Sequence, residues 1–428
     1  MKKHFWTEVT LATCLVFALM GGIYGILQLN LFNAFDSIGR ALGDVDLTDY
    51  VFWGIREEVP PEENVVIVNI GQLSRSEIAQ QIQILSKAKP RVIGVDSFFL
   101  QPREEDPMGD AMLSNAIEEA GNVVLVTKVE RSSALEKSGG EGYDSLLRSA
   151  SIFSDVAFRE GFANLETEAA YQDDVKTCRS FPPRVDVAGK DQLAFAVLLA
   201  SLYDSAKAAA FLERGNESEL INYRGNIVDV FGQSGESYRN VFPAIDADQV
   251  LNEEFEYSAV KDKIVIMGYL GDHWGDPSWE DRFYTPLNTS LAGKANPDMF
   301  GAVIHANIVS MILNEAYLSS MPDWQQYVLG IVLCFLNMAL FLVIYQKLPA
   351  WYDGITKTFQ VIEMLALTVL MVYIFHWFHF KLDITFALAA IAMAGDTLEV
   401  FEGVIKQAYL KLRSLLGFTK STEEVLTP

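Results

Sequence analysis

Four polar side chains with chemically useful groups lie where apolar segments of the sequence end. Asp96 follows a short apolar run, and Asp276 and Thr285 lie in the loop after another apolar run, residues 264–267. His305 lies in the first turns of a segment whose apolar residues have helical spacing. Loops at the carboxyl ends of parallel strands are where α/β domains hold ligands. We therefore predict that Asp96, Asp276, Thr285 and His305 bind a ligand.

Metal binding is an alternative reading of the acidic residues around Asp96. Four more acids follow it closely, namely Glu104, Glu105, Asp106 and Asp110. Carboxylate oxygens suit Ca²⁺ or Mg²⁺, but the spacing does not match an EF-hand loop. Asp110 also fits the start of a helix, where acids are favourable. Asp96 itself has a third reading as a structural carboxylate that accepts hydrogen bonds from loop amides. We predict no metal and no cofactor.

Acid–base catalysis is the second alternative for Asp276 and His305. A hydrolase of this kind needs a nucleophile, and the nearby hydroxyls lie in no elbow motif; they belong to Ser278, Thr285 and Ser290. A histidine on a helix is commonly a hydrogen-bonded core residue. We therefore predict no catalytic residues and a protein that is not an enzyme.

The composition describes a strongly acidic chain that is half hydrophobic. It has 428 residues and a net charge of −23, which argues against nucleic acid as a partner. Of its three cysteines, Cys14 and Cys334 lie in apolar segments, and Cys178 lies alone between them. A single cysteine closes no internal disulfide, so the region around Cys178 needs a hydrophobic core of its own.

Four apolar segments are candidates for membrane spans. They cover residues 9–29, 327–345, 361–380 and 384–394. A bilayer core of about 30 Å needs about 20 apolar residues as a helix, which the first three provide. The first has no A-x-A cleavage site and a longer core than a signal peptide, so we interpret it as an uncleaved anchor. The fourth is short, with Asp396 and Glu399 after it, and a re-entrant or interfacial helix is the alternative.

The basic residues that flank these segments predict the orientation. They are Lys2, Lys3, Lys347, Lys357, Lys406, Lys411, Arg413 and Lys420. With four spans all of these fall on one side, which is the cytoplasm by the positive-inside rule, and the loop between the third and fourth segments has only Lys381. The sequence thus predicts a multi-pass protein of the bacterial inner membrane, with its large domain on the periplasmic side.

The outer region reads as an α/β domain with a largely parallel sheet. After an amphipathic connector at residues 31–59, apolar strand segments at 65–70, 92–95, 122–129 and 264–267 alternate with helical segments at 76–89, 108–120 and 192–212. Two further strands are predicted to pair, at residues 220–223 and 227–231. Strands alternating with helices through short loops indicate parallel pairing.

The order of these blocks resembles a known family, the second type of CHASE domain, an extracytoplasmic sensory module of bacterial kinases and cyclases. Matching blocks include PRVIGVDSFF at residues 90–99, GFAN at 161–164 followed by Asp173 and Arg179, INYRG at 221–225, and KIVIMG at 263–268 followed by Asp276, Thr285, Gly301 and His305-Ala306-Asn307. The usual layout of the family, one span, the sensor domain and three more spans, is also similar.

Two departures from the family pattern affect the expected function. The family commonly has acids in its first strand block, where this chain has Asn69-Ile70-Gly71. Fewer than 30 residues follow Phe401, so we expect no kinase or cyclase domain there. The resemblance implies a sensory or receptor subunit that signals to a separate protein partner. The alternative is a structural subunit of an envelope complex; a homo-oligomer is compatible with both.

Together these observations predict four domains and one function. The domains are an N-terminal transmembrane helix at 1–30, the sensor domain at 31–325, three transmembrane helices at 326–401 and a short cytoplasmic amphipathic tail at 402–428. The tail is a candidate for docking to a cytoplasmic partner or for lying on the lipid surface.

Overall fold

The computed structural model describes residues 4–27, 46, 48–57, 59–133, 135, 142–165, 177–227, 241–273, 276, 280–288 and 297–415. The predicted connector at 31–59, Asp173, Ser278 and Ser290 lie wholly or partly outside them. The chain divides into two compact units. One holds residues 40–318, and the other holds residues 1–39 and 319–428.

A seven-stranded, mainly parallel sheet forms the centre of the unit at residues 40–318. Its strands are β1 (Val65–Asn69), β2 (Val92–Asp96), β3 (Val123–Glu130), β4 (Ser145–Leu147), β5 (Arg159–Phe162), β10 (Ala244–Ile245) and β11 (Ile264–Gly268). The strand order is β10-β1-β11-β2-β3, after which β3 pairs with both β4 and β5. Only the pairing of β3 with β4 is antiparallel. The predicted largely parallel sheet is therefore confirmed.

Helices cover both faces of this sheet. They are α2 (Arg75–Lys87), α3 (Pro107–Ala120), α4 (Ser151–Ser154), α5 (Phe195–Tyr203), α6 (Ser205–Leu212), α7 (Ala247–Leu251) and α8 (Gly301–Leu313). One face of β1, β2 and β11 packs on α2, α3 and α7 in a core that includes Val68, Ile82 and Leu113. The helix α5 packs on β2 and β5, and the helix α8 packs on β1 and β11. Burial on both faces explains why the strands are continuous apolar runs.

Local sequence signals set the ends of two helices. Ser74 and Glu77 form a capping box at the start of α2, each bonding the other's backbone N–H. Gly121, with a φ of +67°, ends α3 in the left-handed conformation that glycine adopts without strain. Both helices were predicted within two residues of these bounds.

One prediction about local structure was wrong, and another falls mostly outside the described residues. The single helix expected at 192–212 is two helices, because Asp204 adopts an extended conformation and its carboxylate caps α6. The strand expected at 227–231 lies outside the described residues except for Ile227, and β9 (Glu219–Leu220) pairs with β6 (Ser180–Phe181). Apolar periodicity does not reveal a one-residue break in a helix such as the one at Asp204. It also does not identify the partner of a strand when that partner is distant in the sequence. Smaller pairs are β7 (Arg184–Val187) with β8 (Lys190–Leu193), and β12 (Arg282–Phe283) with β13 (Met299–Phe300).

The other unit is helical. It contains α1 (Phe5–Leu27), α9 (Asp323–Lys347), α10 (Tyr352–Phe378), α11 (Thr385–Val400) and α12 (Lys406–Leu415). Among the described residues, three helices are long and apolar enough to cross a membrane, at Phe5–Tyr24, Asp323–Lys347 and Pro349–Phe378. The helix α11 has 16 residues and continues through a π-helical turn at Phe401–Ile405. The count of four spans stays a prediction.

Polar contacts join these helices to one another. Lys406 contacts the carboxylates of Glu8 on α1 and Glu402. The amide of Asn337 on α9 donates to Glu363 on α10 at 3.0 Å. Hydrogen bonds between apolar helices stabilise their packing because lipid offers no competing partner. A short parallel pair, β14 (Ser319–Ser320) with β15 (Phe380–Lys381), lies in the same unit.

Candidate functional site

The carboxyl ends of three neighbouring parallel strands form the edge at which the candidate site lies. The register pairs Asn69 of β1 with Gly268 of β11, and Gly268 with Asp96 of β2. Position 268 requires glycine, because a Cβ at this position would lie 2.5 Å from the Cβ of Ala302 on α8. The glycine thus lets the first turn of α8 approach this edge closely, next to Asp96.

Asn69 is fully engaged in holding the loops of this edge. Its amide donates to Asp246 at 2.7 Å and to the Gly271 carbonyl at 3.0 Å. Its side-chain oxygen accepts from the backbone N–H groups of Gly71 and Leu270, both at 2.9 Å. All the bonds of the Asn69 side chain are therefore made to other residues of the protein. These bonds explain structurally why this chain has asparagine where the family commonly has acids.

Asp96 and His305 face each other at this edge without a close hydrogen bond. Asp96 Oδ2 lies 3.9 Å from His305 Nε2, which exceeds hydrogen-bonding distance. Within the described residues, neither the Asp96 carboxylate nor the buried Nδ1 of His305 has a hydrogen-bond partner. Asp96 is 13% exposed and His305 4% exposed in their side chains, so the pair is open to solvent mainly through Asp96. Sequence analysis selected both residues, and the structure brings them together.

Asp281 is a third acid at this place, and sequence analysis missed it. Its backbone carbonyl accepts from the N–H of Gly301 at 3.1 Å, and its carboxylate lies 3.3 Å from where a Gly301 Cβ would be. The carboxylate thus lies beside the first residue of α8, where the helix dipole favours negative charge. The helix α8 begins at Phe300 and Gly301 without a capping side chain of its own. This is the signal by which an acid from another segment could have been predicted at the start of α8.

The protonation of these groups follows from their surroundings. Burial raises the pKa of Asp96 to about 7. Burial lowers the pKa of His305 to about 4, so its imidazole is neutral at physiological pH. Desolvation and the neighbouring charge of Asp96 raise the pKa of Asp281, which is exposed as a residue. Two acids whose ionisation is unfavourable thus lie next to a neutral imidazole, and none of the three groups supplies a positive charge to the site.

Asp276 and Thr285 hold the loop between β11 and α8. Asp276 accepts from the N–H of Asp272 at 2.8 Å, and its backbone carbonyl accepts from Arg282 at 2.6 Å. Thr285 bonds both carboxylate oxygens of Asp298, with its N–H and its hydroxyl. These contacts assign the two residues a positioning role. Their predicted part in ligand binding stays a prediction.

We expect Thr285→Val to lower stability without altering the Asp96 site. Thr285 is 2% exposed, and valine removes a hydroxyl that donates to the Asp298 carboxylate. The loss is expected to be about 1–3 kcal/mol in chemical denaturation, the usual cost of an unsatisfied buried acceptor. A ligand-induced shift of the thermal midpoint should persist; its disappearance would show that Thr285 acts on the ligand.

Two of the four acids downstream of Asp96, Asp106 and Asp110, have structural roles. Asp110 is buried and pairs with Arg75, and it also accepts from the N–H of Arg103 at 2.6 Å. Asp106 caps α3 by accepting from the N–H of Gly109 at 2.9 Å. Throughout the described ranges, no three or more His, Cys, Asp or Glu side chains are placed to hold a metal ion. The alternative of a cation site built from these acids is therefore not supported.

The far half of α8 is fixed by a buried polar network. Arg224 donates to Glu62 at 2.8 Å and to Ser310 at 2.8 Å, and Glu62 is 2% exposed in its side chain. Asn307 accepts from the N–H of Arg224 and donates to the Gly225 carbonyl at 3.0 Å. One face of α8 therefore carries His305 at the site, and later turns anchor the segment at residues 221–225.

A comparison with protein families identifies the family of this chain. The family model described as the CHASE2 domain matches residues 11–340. Because the match spans most of the chain, the protein belongs to the CHASE2 domain family, whose domain is an extracytoplasmic sensory module. No curated protein matches the chain. No solved structure matches it either.

Proposed function

We propose that this protein is a membrane receptor whose α/β domain binds a small ligand at Asp96 and His305. The observation that carries the proposal is the pair itself, a largely buried aspartate and a buried histidine 3.9 Å apart without hydrogen bonds among the described residues. Leaving polar groups unbonded costs stability, and proteins keep such costs mainly where function requires them. Membership in a sensory domain family supports the same reading.

The helix α8 offers a route for the signal. Its first turns carry Gly301 and His305 at the site, and residues 314–322 connect its end at Leu313 to the start of α9 at Asp323. We consider two states of the chain that differ in the position of the first turns of α8. A ligand that binds one of these states more tightly would raise the population of that state. We propose that this shift is passed on to the apolar helix α9.

A thermal-shift screen of the intact protein in mild detergent tests the receptor proposal. A specific ligand raises the thermal midpoint by mass action, because it binds the folded state alone. The stabilising compound should lose its effect in the Asp96→Asn variant and keep it in Asp155→Asn, an exposed acid with the same change of charge. A compound that stabilises wild type and both variants equally would place its binding site elsewhere.

The orientation of the domain is part of the proposal and has its own prediction. In a cysteine-free background, a cysteine at the exposed position Asp155 should react in intact spheroplasts with a membrane-impermeant maleimide. A cysteine at exposed Trp351, between the basic residues Lys347 and Lys357, should react only after the membrane is opened. Labelling in the opposite order would place the α/β domain in the cytoplasm.

The proposal includes a non-enzymatic role and a protein partner for output. Several apolar side chains near the cytoplasmic end in this orientation are exposed, among them Val404, Ile405, Tyr409, Leu410 and Leu412. A helix with such a face docks on a partner or on the lipid surface. The structural-subunit alternative predicts co-purification with an envelope complex that is unaffected by Asp96→Asn.

A further inference from the structure

We infer that the pocket formed by Asp96, Asp281 and His305 binds the primary ammonium group of its ligand. This inference rests on the proposed receptor function and adds the chemical class of the ligand. The argument uses the hydrogen-bonding capacity of the three side chains, their spacing and the charge around them.

The pocket is rich in acceptors and poor in donors. The carboxylates of Asp96 and Asp281 are close enough for their charges to repel, and in the described residues neither receives a hydrogen bond from a side chain or a backbone N–H. The third group, His305, is 3% exposed, and its Nδ1 has no partner there. The nitrogen of His305 that faces Asp96 is Nε2, and it is an acceptor when Nδ1 carries the proton of the neutral imidazole. An acceptor nitrogen beside two unbonded carboxylates indicates that the missing component is a donor.

The nearby arginine does not supply that donor. Arg282 follows Asp281 directly, but one of its nitrogens donates to the Asp276 carbonyl at 2.6 Å. Its guanidinium also lies over the Phe300 ring, 4.1 Å from the centroid. The arginine is therefore held against the loop and the ring, and Glu280 adds a further negative charge near Asp281. The pocket is left with an excess of acidic groups.

The spacing suits one small charged donor. A nitrogen about 2.8 Å from both Asp96 Oδ2 and His305 Nε2 bridges their separation of 3.9 Å at an angle of about 90°. Two N–H bonds of an ammonium group span such an angle with modest bending. The third N–H remains for Asp281, whose carboxylate is near enough to Asp96 to be repelled by its charge. Three acceptor groups thus meet the three N–H donors of a primary ammonium. An anionic ligand would meet two carboxylates and is disfavoured.

The test measures the thermal midpoint of the intact protein in detergent against four probes at equal ionic strength. These probes are methylammonium, tetramethylammonium, potassium and acetate. Methylammonium should raise the midpoint in a saturable manner, whereas tetramethylammonium, which has charge without N–H donors, should act like potassium. Asp96→Asn should weaken the apparent methylammonium affinity at least about tenfold, since each charged hydrogen bond contributes this much or more. Asp155→Asn should leave the affinity unchanged.

The outcomes separate this inference from the receptor proposal. If Asp96→Asn folds poorly, Asp281→Asn serves as the second variant, because that residue is exposed. Stabilisation by acetate that depends on Asp96 would overturn the ammonium class and leave the receptor proposal intact. A midpoint that depends on pH through Asp96 but ignores methylammonium would mean that the pocket binds only a proton, which also overturns the inference. The receptor proposal is then decided by the wider screen alone.

Discussion

Replacing Asp96 by asparagine is expected to raise the free energy of unfolding at pH 8 by about 2–4 kcal/mol in the unliganded protein. The reason is that burial raises the pKa of Asp96 to about 7, so the folded protein at pH 8 contains an unfavourable charge without a hydrogen-bond donor in the described residues. Asparagine has nearly the same shape and no charge, and it removes this cost.

The direction of the pH dependence follows from the raised pKa. Between about pH 4 and pH 7 the unfolded chain releases the Asp96 proton while the folded protein retains it. The contribution of Asp96 to stability is therefore fully present below pH 4 and is lost as the pH rises through 7. The difference between the variant and wild type should be small at pH 5 and large at pH 8.

The other groups that face Asp96 do not reverse this difference. His305 titrates near pH 4 in the folded protein and acts with the opposite sign between pH 4 and 6.5, but it is present in both proteins. Asp281, with Glu280 beside it, is repelled less once Asp96 is neutral. Chemical denaturation at pH 5, 6.5 and 8 measures the effect, with Asp155→Asn as the control. A variant that is less stable than wild type at pH 8 would show that the Asp96 carboxylate is well bonded.

Arg224→Met is expected to lower the free energy of unfolding by about 3–5 kcal/mol, the usual cost of leaving a buried charge without its partner. Glu62 would lose its arginine at 2.8 Å while its side chain remains 2% exposed. The far half of α8 would also lose a contact, because Arg224 bonds Ser310. Chemical denaturation of the intact protein in detergent measures the loss.

Two further variants control this experiment. Arg184→Met removes an exposed arginine 3.9 Å from Asp191, and such surface pairs contribute about 0–1 kcal/mol. Glu62→Gln combined with Arg224→Met should recover part of the stability, because the double variant buries no unpaired charge. If Arg224→Met costs no more than Arg184→Met, the network around Glu62 does not fix α8.

Sequence reasoning predicted the parts of the fold that local patterns determine. The runs at Val65–Asn69 and Ile264–Gly268 were predicted as buried strands from their own apolar residues, and both form central strands of the sheet. The start of α2 follows from a capping box within four residues. In each case the physical cause lies in neighbouring residues.

The site was predictable only in part because its third member comes from elsewhere in the chain. Asp96 ends a strand and His305 begins a helix, so the α/β pattern indicated both. Asp281 reaches α8 only because β12 pairs with β13 and brings the two segments together. Asp204 shows the same limit, since one residue in an extended conformation divided a continuous apolar helix pattern.

The central claim is that a ligand at Asp96 and His305 changes the segment leading from α8 to α9. Hydrogen–deuterium exchange of the reconstituted protein, with and without the compound that raises its thermal midpoint, tests this claim most directly. We expect the ligand to change exchange at residues 314–322 in wild type and Asp155→Asn, and to have no effect in Asp96→Asn. Exchange that changes only around residues 269–281, with 314–322 unaltered in saturated wild type, would contradict the claim.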